Sequence, residues 1–155
     1  MKELEVLVKI EEPEKTVFEK VEVLGIEKIR DTYFNFPKIT LRIRNSNRGL
    51  TLTYKKDIFR KKKWIYSKEY ETSVNIYIYS ILTLLKYKPT VIVEQTKYHC
   101  QNGIEIQKVK RLGLFLEVEG KNRKKIWQRI KKTGIKVSKE CKVGKPQMVL
   151  NKKGR

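Results

Sequence analysis

Alternating apolar and polar residues, the pattern of a β-strand with one buried face, recur along most of the chain. Every second residue of Leu4–Ile10 is apolar, and the same period returns in six later segments. Turn-forming residues at 47–49 and 101–103 lie between neighbouring segments, as in β-hairpins. The predicted strands are residues 4–10, 39–44, 50–55, 64–71, 90–98, 104–109 and 114–119.

Three further segments have apolar residues at helical spacing, and they are residues 12–23, 72–87 and 121–133. Pro13 would occupy the first turn of the first helix, where its missing N–H costs nothing. No linker rich in Gly, Ser or Pro divides the 155 residues, a length that suits one core. The pattern predicts one α+β domain over residues 1–155, a closed and mostly antiparallel β-barrel of about seven strands with three flanking helices.

Charged residues occupy alternate positions of several predicted strands. For any single strand, a row of charges on the solvent face is the simpler explanation. Taken together, the rows also fit a charged barrel interior, with the apolar faces turned outward against the helices. Paired glutamates would then need a cation such as Mg²⁺ or Mn²⁺ between them, and Arg and Lys would bind phosphate oxygens. The rows are Glu3, Glu5 and Lys9; Arg42 and Arg44; Glu69 and Glu71; and Glu117 and Glu119.

The formal net charge of +20, from 37 Lys and Arg against 17 Asp and Glu, favours a polyanionic partner. A lysine-rich surface that is simply solvated remains an alternative explanation. Residues 121–155 carry 14 Lys and Arg and one acidic residue, Glu140. This segment and the basic run at 60–64 could contact RNA or another nucleic acid, but a solvated helix and a frayed basic tail at about 134–155 are favoured.

Several function classes lack their sequence signals. No apolar run approaches the roughly 20 residues of a membrane span, and the N-terminus does not resemble a secretory signal, so a cytoplasmic protein is expected. Cys100, Cys141 and His99 make a poor metal set, and reduced, inert thiols are expected. The chain contains no Walker-type phosphate loop, zinc signature or Ser-His-Asp set.

A succession of short motifs resembles the CYTH superfamily, which includes class IV adenylyl cyclases and thiamine triphosphatases. The resemblance keeps the family's order and covers roughly residues 3–120. A lone E-x-E would be a weak signal, but the whole succession is specific. The motifs are E-L-E at 3–5, D-T-Y-F-N-F-P at 31–37, L-R-I-R at 41–44, L-T-Y-K at 52–55, K-E-Y-E at 68–71 and L-G-L-F-L-E-V-E at 112–119.

The resemblance implies an eight-stranded tunnel that holds a triphosphate compound with Mg²⁺ or Mn²⁺. It implies catalytic roles for Glu3, Glu5, Glu117 and Glu119, of which Glu5, Glu117 and Glu119 would bind the metal. It also implies phosphate contacts from Lys9, Arg42, Arg44 and Lys55, and tunnel positions for Glu69, Glu71 and Lys97.

The chain departs from the family pattern at several phosphate-binding positions. Leu7 stands where the opening E-x-E-x-K motif has its lysine, and Val93 and Gln95 replace a K-x-R pair, with Lys97 nearby. Gln107 replaces an aspartate, and the late Ser-Tyr segment reads Pro-Gln at 146–147.

Two kinds of function therefore stay open from the sequence. One is metal-dependent hydrolysis of a triphosphate, or cyclisation of ATP to cAMP. The other is a catalytically degenerate domain that binds polyphosphate, nucleotide or RNA without turnover. A homodimer is also open.

Overall fold

The computed structural model describes residues 4–153, with the side chains of all but residues 64–66. Within these residues the protein is α+β, with nine strands and four α-helices. The strands are β1 (Leu4–Ile10), β2 (Val23–Phe34), β3 (Thr40–Ser46), β4 (Gly49–Arg60), β5 (Lys63–Val74), β6 (Pro89–Cys100), β7 (Ile104–Val109), β8 (Gly113–Gly120) and β9 (Val137–Glu140). The helices are α1 (Glu14–Glu19), α2 (Tyr77–Leu84), α3 (Arg123–Lys132) and α4 (Lys145–Lys153).

All strands belong to one antiparallel sheet with the order β5-β4-β3-β2-β6-β7-β8-β1-β9. The chain divides into two compact units. The first unit runs up to Lys28 and resumes at Gln95–Gly144. The second unit comprises Ile29–Glu94 and the residues from Lys145 onward. The expected single domain over residues 1–155 stays a prediction.

In the first unit, the alternation of β1 separates an apolar face from a polar one. Val6 and Val8 are fully buried, and they join Leu116 and Val118 of the neighbouring strand β8 in the core. Helix α3 covers this apolar face with side chains that include Ile126 and Ile130. The helix begins where the Asn122 side chain accepts a hydrogen bond from the Lys125 N–H at 3.1 Å, a typical N-cap.

The second unit repeats this arrangement. Strands β2 to β5 follow one another as hairpins, and their apolar side chains form a core around Phe34, Leu41 and Ile43. Leu82 of α2 belongs to the same core. Lys61 and Lys62, both with positive φ, form the two-residue turn between β4 and β5. Each unit thus has a part of the sheet whose apolar face lies under a helix and whose other face is polar.

The structure confirms the seven predicted strands and adds β2 and β9. Strand β2 does not show clean alternation in the sequence, since Leu24 and Ile26 are exposed and the residues from Asp31 onward are buried on both faces. The predicted first helix is correspondingly shorter than expected, because the chain enters β2 at Val23.

The expectation of a frayed tail at about 134–155 is wrong. Strand β9 pairs with β1, and the backbone N–H of Cys141 donates to the carbonyl of Leu7 at 2.8 Å. Helix α4 follows, so the structure has four α-helices where three were expected. Helix α3 matches its prediction closely, whereas α2 is shortened because β5 continues to Val74.

Hydrogen bonding within residues 4–153 leaves β5 and β9 as the edges of the sheet. The closed barrel is therefore not confirmed and stays a prediction. No helix among the described residues combines the length and the apolar character that crossing a membrane requires.

Candidate functional site

Three carboxylates come together on the polar face of the first unit. Strands β1 and β8 are antiparallel neighbours, and their register places Glu5 opposite Glu119 and Leu7 opposite Glu117. One carboxylate oxygen from each of the three glutamates lies within 4.8 Å of the other two. Glu117 is buried, with 8% of its surface exposed, whereas Glu5 and Glu119 are exposed. We refer to Glu5, Glu117 and Glu119 as the acidic trio.

The geometry of the acidic trio fits a small divalent cation. Mg²⁺ binds oxygen ligands at about 2.0–2.1 Å, so two of its ligands lie at most about 4.2 Å apart. Only ligands on opposite sides of an octahedral ion reach that separation, and adjacent ligands lie about 3.0 Å apart, so trio oxygens separated by up to 4.8 Å would each move inward by up to about 1 Å to bind one ion. The donors are all carboxylates, the ligand type that Mg²⁺ and Mn²⁺ prefer. Water can complete the coordination because two of the three side chains are exposed.

A second polar cluster on this unit combines opposite charges. The Lys97 Nζ lies 3.3 Å from a carboxylate oxygen of Glu105, and the Gln107 side chain donates to the same oxygen at 3.3 Å. His99 Nδ1 lies 3.7 Å from the other Glu105 oxygen, and its Nε2 lies 3.2 Å from Glu27. Burial by itself raises the pKa of Glu105, but Lys97, Gln107 and His99 more than offset this and hold the pKa below its usual value.

The two cysteines take no part in these clusters. Cys100 and Cys141 are both free. Burial raises the pKa of each thiol, which suits the inert thiols expected from the sequence.

The polar face of the second unit is organised around a buried aspartate. Asp31 is 1% exposed, and both of its oxygens accept hydrogen bonds from Arg44, from Nε and from Nη2 at 2.8 Å each. Arg42 lies further away, with its Nη1 at 4.0 Å from Asp31. The register of β2 and β3 explains the difference, because Asp31 is directly opposite Arg44, while Arg42 is opposite Tyr33.

Arg42 is held at one end and has a buried donor without a partner. Its Nη2 donates to the Thr53 hydroxyl at 3.1 Å and lies 3.8 Å from Glu71. Its Nε is buried and has no hydrogen-bond partner in the described part of the chain. Burial, followed by the nearby Asp31, raises the pKa of Tyr33, although Arg42 and Arg44 oppose this shift. An anionic oxygen is the group that such an arginine donor lacks.

The structure places the remaining predicted site residues as follows. Lys9 follows Glu5 and Leu7 on the same face of β1. Lys55 of β4 is opposite Glu69 of β5, with 3.7 Å between Nζ and the carboxylate. Lys97 lies in the cluster with Glu105. Glu3 is outside the described residues, so its predicted catalytic role stays a prediction.

Several polar residues of these clusters were not selected as site residues from the sequence, among them Glu27, Asp31, Thr53 and Glu105. Asp31 lies in the D-T-Y-F-N-F-P motif, but its pairing with Arg44 depends on the register of β2 against β3. Glu105 is opposite both Glu117 and His99, through β8 and β6. Strand alternation indicates which residues share a face, whereas the partner across the sheet requires the register.

Solved structures with the same fold come from distant organisms. A conserved hypothetical protein from Pyrococcus furiosus shares 22% identity, with a TM-score of 0.66 over 87% of this chain and 95% of its own. The protein PH1819 from Pyrococcus horikoshii also shares 22% identity, with a TM-score of 0.65 over 99% of this chain and 100% of its own. These identities support likeness of fold.

A third similar structure is a Hippeastrum protein, described as a candidate adenylyl cyclase with a dominant triphosphatase activity. It shares 13% identity, with a TM-score of 0.67 over 99% of this chain and 97% of its own. A search among curated proteins found no match.

The family comparison covers most of the chain. The model of the CYTH domain matches residues 1–143, a range that contains the acidic trio, the Asp31 cluster and all nine strands. The match agrees with the motifs at 3–5, 31–37, 41–44 and 112–119. This chain therefore belongs to the CYTH family.

Proposed function

We propose that this protein binds a triphosphate compound together with Mg²⁺ or Mn²⁺ and hydrolyses it. The observation that carries the proposal is the acidic trio, because an anion-binding site has no use for three gathered carboxylates unless a cation joins them. Membership of the CYTH family supports a triphosphate as the ligand. The triphosphatase activity described for the similar Hippeastrum protein favours hydrolysis over cyclisation.

In this proposal the first unit supplies the metal ligands. Glu117 is the most buried of the trio and has the least freedom to move, so it would fix the ion's position. Glu5 and Glu119 would close around the ion from the two strands that flank it. A divalent metal at this position would neutralise charge on phosphate oxygens and lower the pKa of a bound water.

On the second unit, considered by itself, the two arginines would have different roles toward a phosphate group. Arg42 has a buried Nε without a partner, so it would donate to a phosphate oxygen. Arg44 already uses its Nε and Nη2 on Asp31, so its main role would be to hold that aspartate. Lys55 would add positive charge on the second unit, where Glu69 and Glu71 would reduce it, and Lys9 and Lys97 would add positive charge on the first unit.

Binding without turnover is a second candidate function. The family's lysine, K-x-R and aspartate positions hold Leu7, Val93, Gln95 and Gln107 here. Val93 is 1% exposed and Gln107 is fully buried, and neither side chain carries the charge that the family has at its position. The loss of cations that contact the phosphate oxygens reduces the rate of phosphoryl transfer by orders of magnitude, and it reduces binding affinity by much less.

The deciding experiment measures phosphate and pyrophosphate release from ATP, thiamine triphosphate and inorganic tripolyphosphate with Mg²⁺ or Mn²⁺. The matched variants are Glu117→Gln/Glu119→Gln and, as a control of the same chemical type, the exposed Glu19→Gln. We expect phosphate release that falls at least about 100-fold in the double variant and is unchanged in the control. Pyrophosphate release from ATP would indicate cyclisation instead.

Absence of turnover has two distinct meanings in this experiment. If tripolyphosphate raises the melting temperature in the presence of Mg²⁺ and the double variant loses that shift, the protein is a binder. If the wild-type protein neither reacts nor gains stability, the proposed function is wrong.

The two arginines offer a second test. Arg42→Lys should weaken tripolyphosphate binding by roughly tenfold or more while changing stability little, because a charged hydrogen bond to the ligand is lost. Arg44→Lys should lower stability and change tripolyphosphate binding little, because it breaks the two hydrogen bonds from Arg44 to Asp31. Equal effects of the two substitutions on affinity would contradict the division of roles.

A further inference from the structure

The first unit contains a cavity that the proposed function does not use. Its volume is about 400 Å³, within the usual range for small-molecule sites. None of the described residues that line it belongs to the acidic trio. The lining residues are Lys20, Val21, Glu22, Gln101, Asn102, Ile104, Arg129, Lys132 and Thr133.

Arg129 is fixed in the wall of this cavity by backbone groups. Its Nη1 donates to the carbonyl of Glu119 at 2.8 Å, and its Nη2 donates to the carbonyl of Asn102. A Cβ added to Gly103 would be 2.6 Å from Nη2, whereas one added to Gly120 would meet Nη1 only at an ordinary contact distance of 3.7 Å. The missing side chain at Gly103 therefore leaves space that the guanidinium occupies.

This arrangement orients Arg129 without neutralising it. A guanidinium has five N–H donors, and the two carbonyls accept from two of its nitrogens. Carbonyls carry no formal charge, so the positive charge of Arg129 is not offset by its anchors. The N–H donors of Arg129 that do not bond to these carbonyls are already oriented, and an anionic oxygen is a suitable acceptor for them.

Two lysines add to the positive charge. The Lys20 Nζ lies 2.7 Å from Glu12 and donates to the Gly134 carbonyl at 2.8 Å. Glu12 also interacts with Lys136, so it is shared between two lysines, and its pKa is lowered chiefly by the Lys20 hydrogen bond. Lys132 has no ion pair within the described part of the chain. Counting Lys20, Lys132, Lys136 and Arg129 against Glu12 and Glu22 leaves a formal charge of +2 around the cavity.

A purely structural explanation accounts for part of this. Lysines commonly donate to carbonyls near helix C-termini, and Lys20 donates to the Gly134 carbonyl just beyond α3. The C-terminus of α3 also brings a partial negative charge of roughly half a unit. The dipole of α3 accounts for a lysine such as Lys132 in its last turn, but its charge is smaller than +2 and does not account for the two backbone carbonyls that hold Arg129 in one orientation. The excess of positive charge therefore points to a ligand.

We propose that this cavity binds a phosphate-bearing anion. The volume exceeds what a single phosphate group needs, and Val21 and Ile104 provide apolar lining for the remainder of a phosphate ester. Arg129 and Lys132 contact the phosphate from the α3 side, and Lys20 contributes from the end of α1. Because the site excludes the acidic trio, binding does not require a divalent metal.

The test is a titration of the ¹⁵N-labelled full chain with inorganic phosphate and, separately, with phenyl phosphate, in EDTA. We expect saturable shifts of the backbone amides of Gln101–Gly103 and of residues 132–134. Lys132→Gln should weaken binding by about three- to fivefold, as expected for a partly exposed ion pair. The control is Lys131→Gln, an adjacent exposed lysine of α3 that does not line the cavity. It should bind as the wild type does.

The outcomes separate the proposal from diffuse charge and identify the source of the phosphate. Tighter binding of phenyl phosphate than of phosphate identifies an ester, and equal affinities identify free phosphate. Shifts that do not saturate, or equal losses in Lys131→Gln and Lys132→Gln, would overturn the proposal. Since metal is absent throughout, the result does not depend on whether the protein hydrolyses triphosphates.

Discussion

The polar sheet faces of the two units use similar side chains in opposite combinations. In the first unit, Glu5, Glu117 and Glu119 bring three like charges together. In the second unit, Asp31 lies between two arginines and makes two 2.8 Å hydrogen bonds to Arg44. Both faces are opposite an apolar core covered by a helix.

The difference separates a pairing of opposite charges in the second unit from a gathering of like charges in the first. A buried pair of opposite charges is costly to break, because removing one partner leaves the other charge uncompensated. Gathered carboxylates repel one another, and a cation between them removes the repulsion. We therefore expect charge-removing substitutions to have opposite effects in the two units.

The largest effect on stability should come from Asp31→Asn. Arg44 and Arg42 are 21% and 14% exposed, so losing the aspartate leaves mostly buried cations without their counter-charge. The free energy of unfolding should fall by about 3 kcal/mol. For a protein of this size the melting temperature should drop by roughly 6–12 °C. Urea and thermal denaturation measure both quantities.

The matched control is Asp57→Asn, an exposed aspartate of β4 in the same unit, which should change stability by less than about 0.5 kcal/mol. If Asp31→Asn is as stable as the wild type, the buried pair has no structural role. Tripolyphosphate should stabilise Asp31→Asn more than the wild type, because the released arginines can then bind it.

The first unit should gain stability from metal. Mg²⁺ at about 100 times its dissociation constant should raise the free energy of unfolding by about 2.7 kcal/mol. Glu117→Gln should lose most of this gain, because it removes the buried member of the trio. Thermal denaturation over a Mg²⁺ titration measures the effect. A full Mg²⁺ response in Glu117→Gln would contradict the metal site, whereas Glu19→Gln should keep that response.

Glu105 allows the mixed-charge cluster of the first unit to be tested by pH. The pKa of Glu105 is lower in the folded than in the unfolded state. Its contribution to the free energy of unfolding is therefore present above the usual pKa of a glutamate, and it is lost as the pH falls through the lowered pKa of the folded protein. Glu105→Gln should cost about 1 kcal/mol at neutral pH, where Lys97 loses a charged acceptor.

The same substitution should flatten the loss of stability in acid, and melting temperatures between about pH 3 and pH 6 would show this. Glu11→Gln, an exposed glutamate, should leave the acid dependence as it is in the wild type. An unchanged acid dependence in Glu105→Gln would assign the stabilisation to other carboxylates.

The smallest expected change in stability comes from Glu119→Gln, and it is a gain, whereas Asp31→Asn lowers stability. Glu5 and Glu119 are directly opposite in the register of β1 and β8, and like charges at such positions destabilise a sheet. In EDTA, Glu119→Gln should therefore stabilise the protein by about 0.5 kcal/mol. Chemical denaturation without metal measures the difference. A loss of stability would mean that cations of the protein already balance the trio.

Much of the fold could be predicted from local patterns. Period-two alternation located seven strands, and helical spacing located α3 almost to the residue. Strand β2 was missed because its side chains are buried on both faces toward its end, which removes the alternation. Strand β9 was missed because four residues in a basic segment carry little pattern and depend on pairing with β1.

The sequence by itself determined the residue types of the site and the strand face each occupies. Glutamates two residues apart on β8, and arginines two apart on β3, share a face whatever the sheet does around them. Only the tertiary structure decided which strands are neighbours and in which register. The register of β1 against β8 places Glu5 beside Glu117 and Glu119, and the register of β2 against β3 places Asp31 opposite Arg44 rather than Arg42. Register depends on packing across the whole sheet, so no local stretch of sequence contains it.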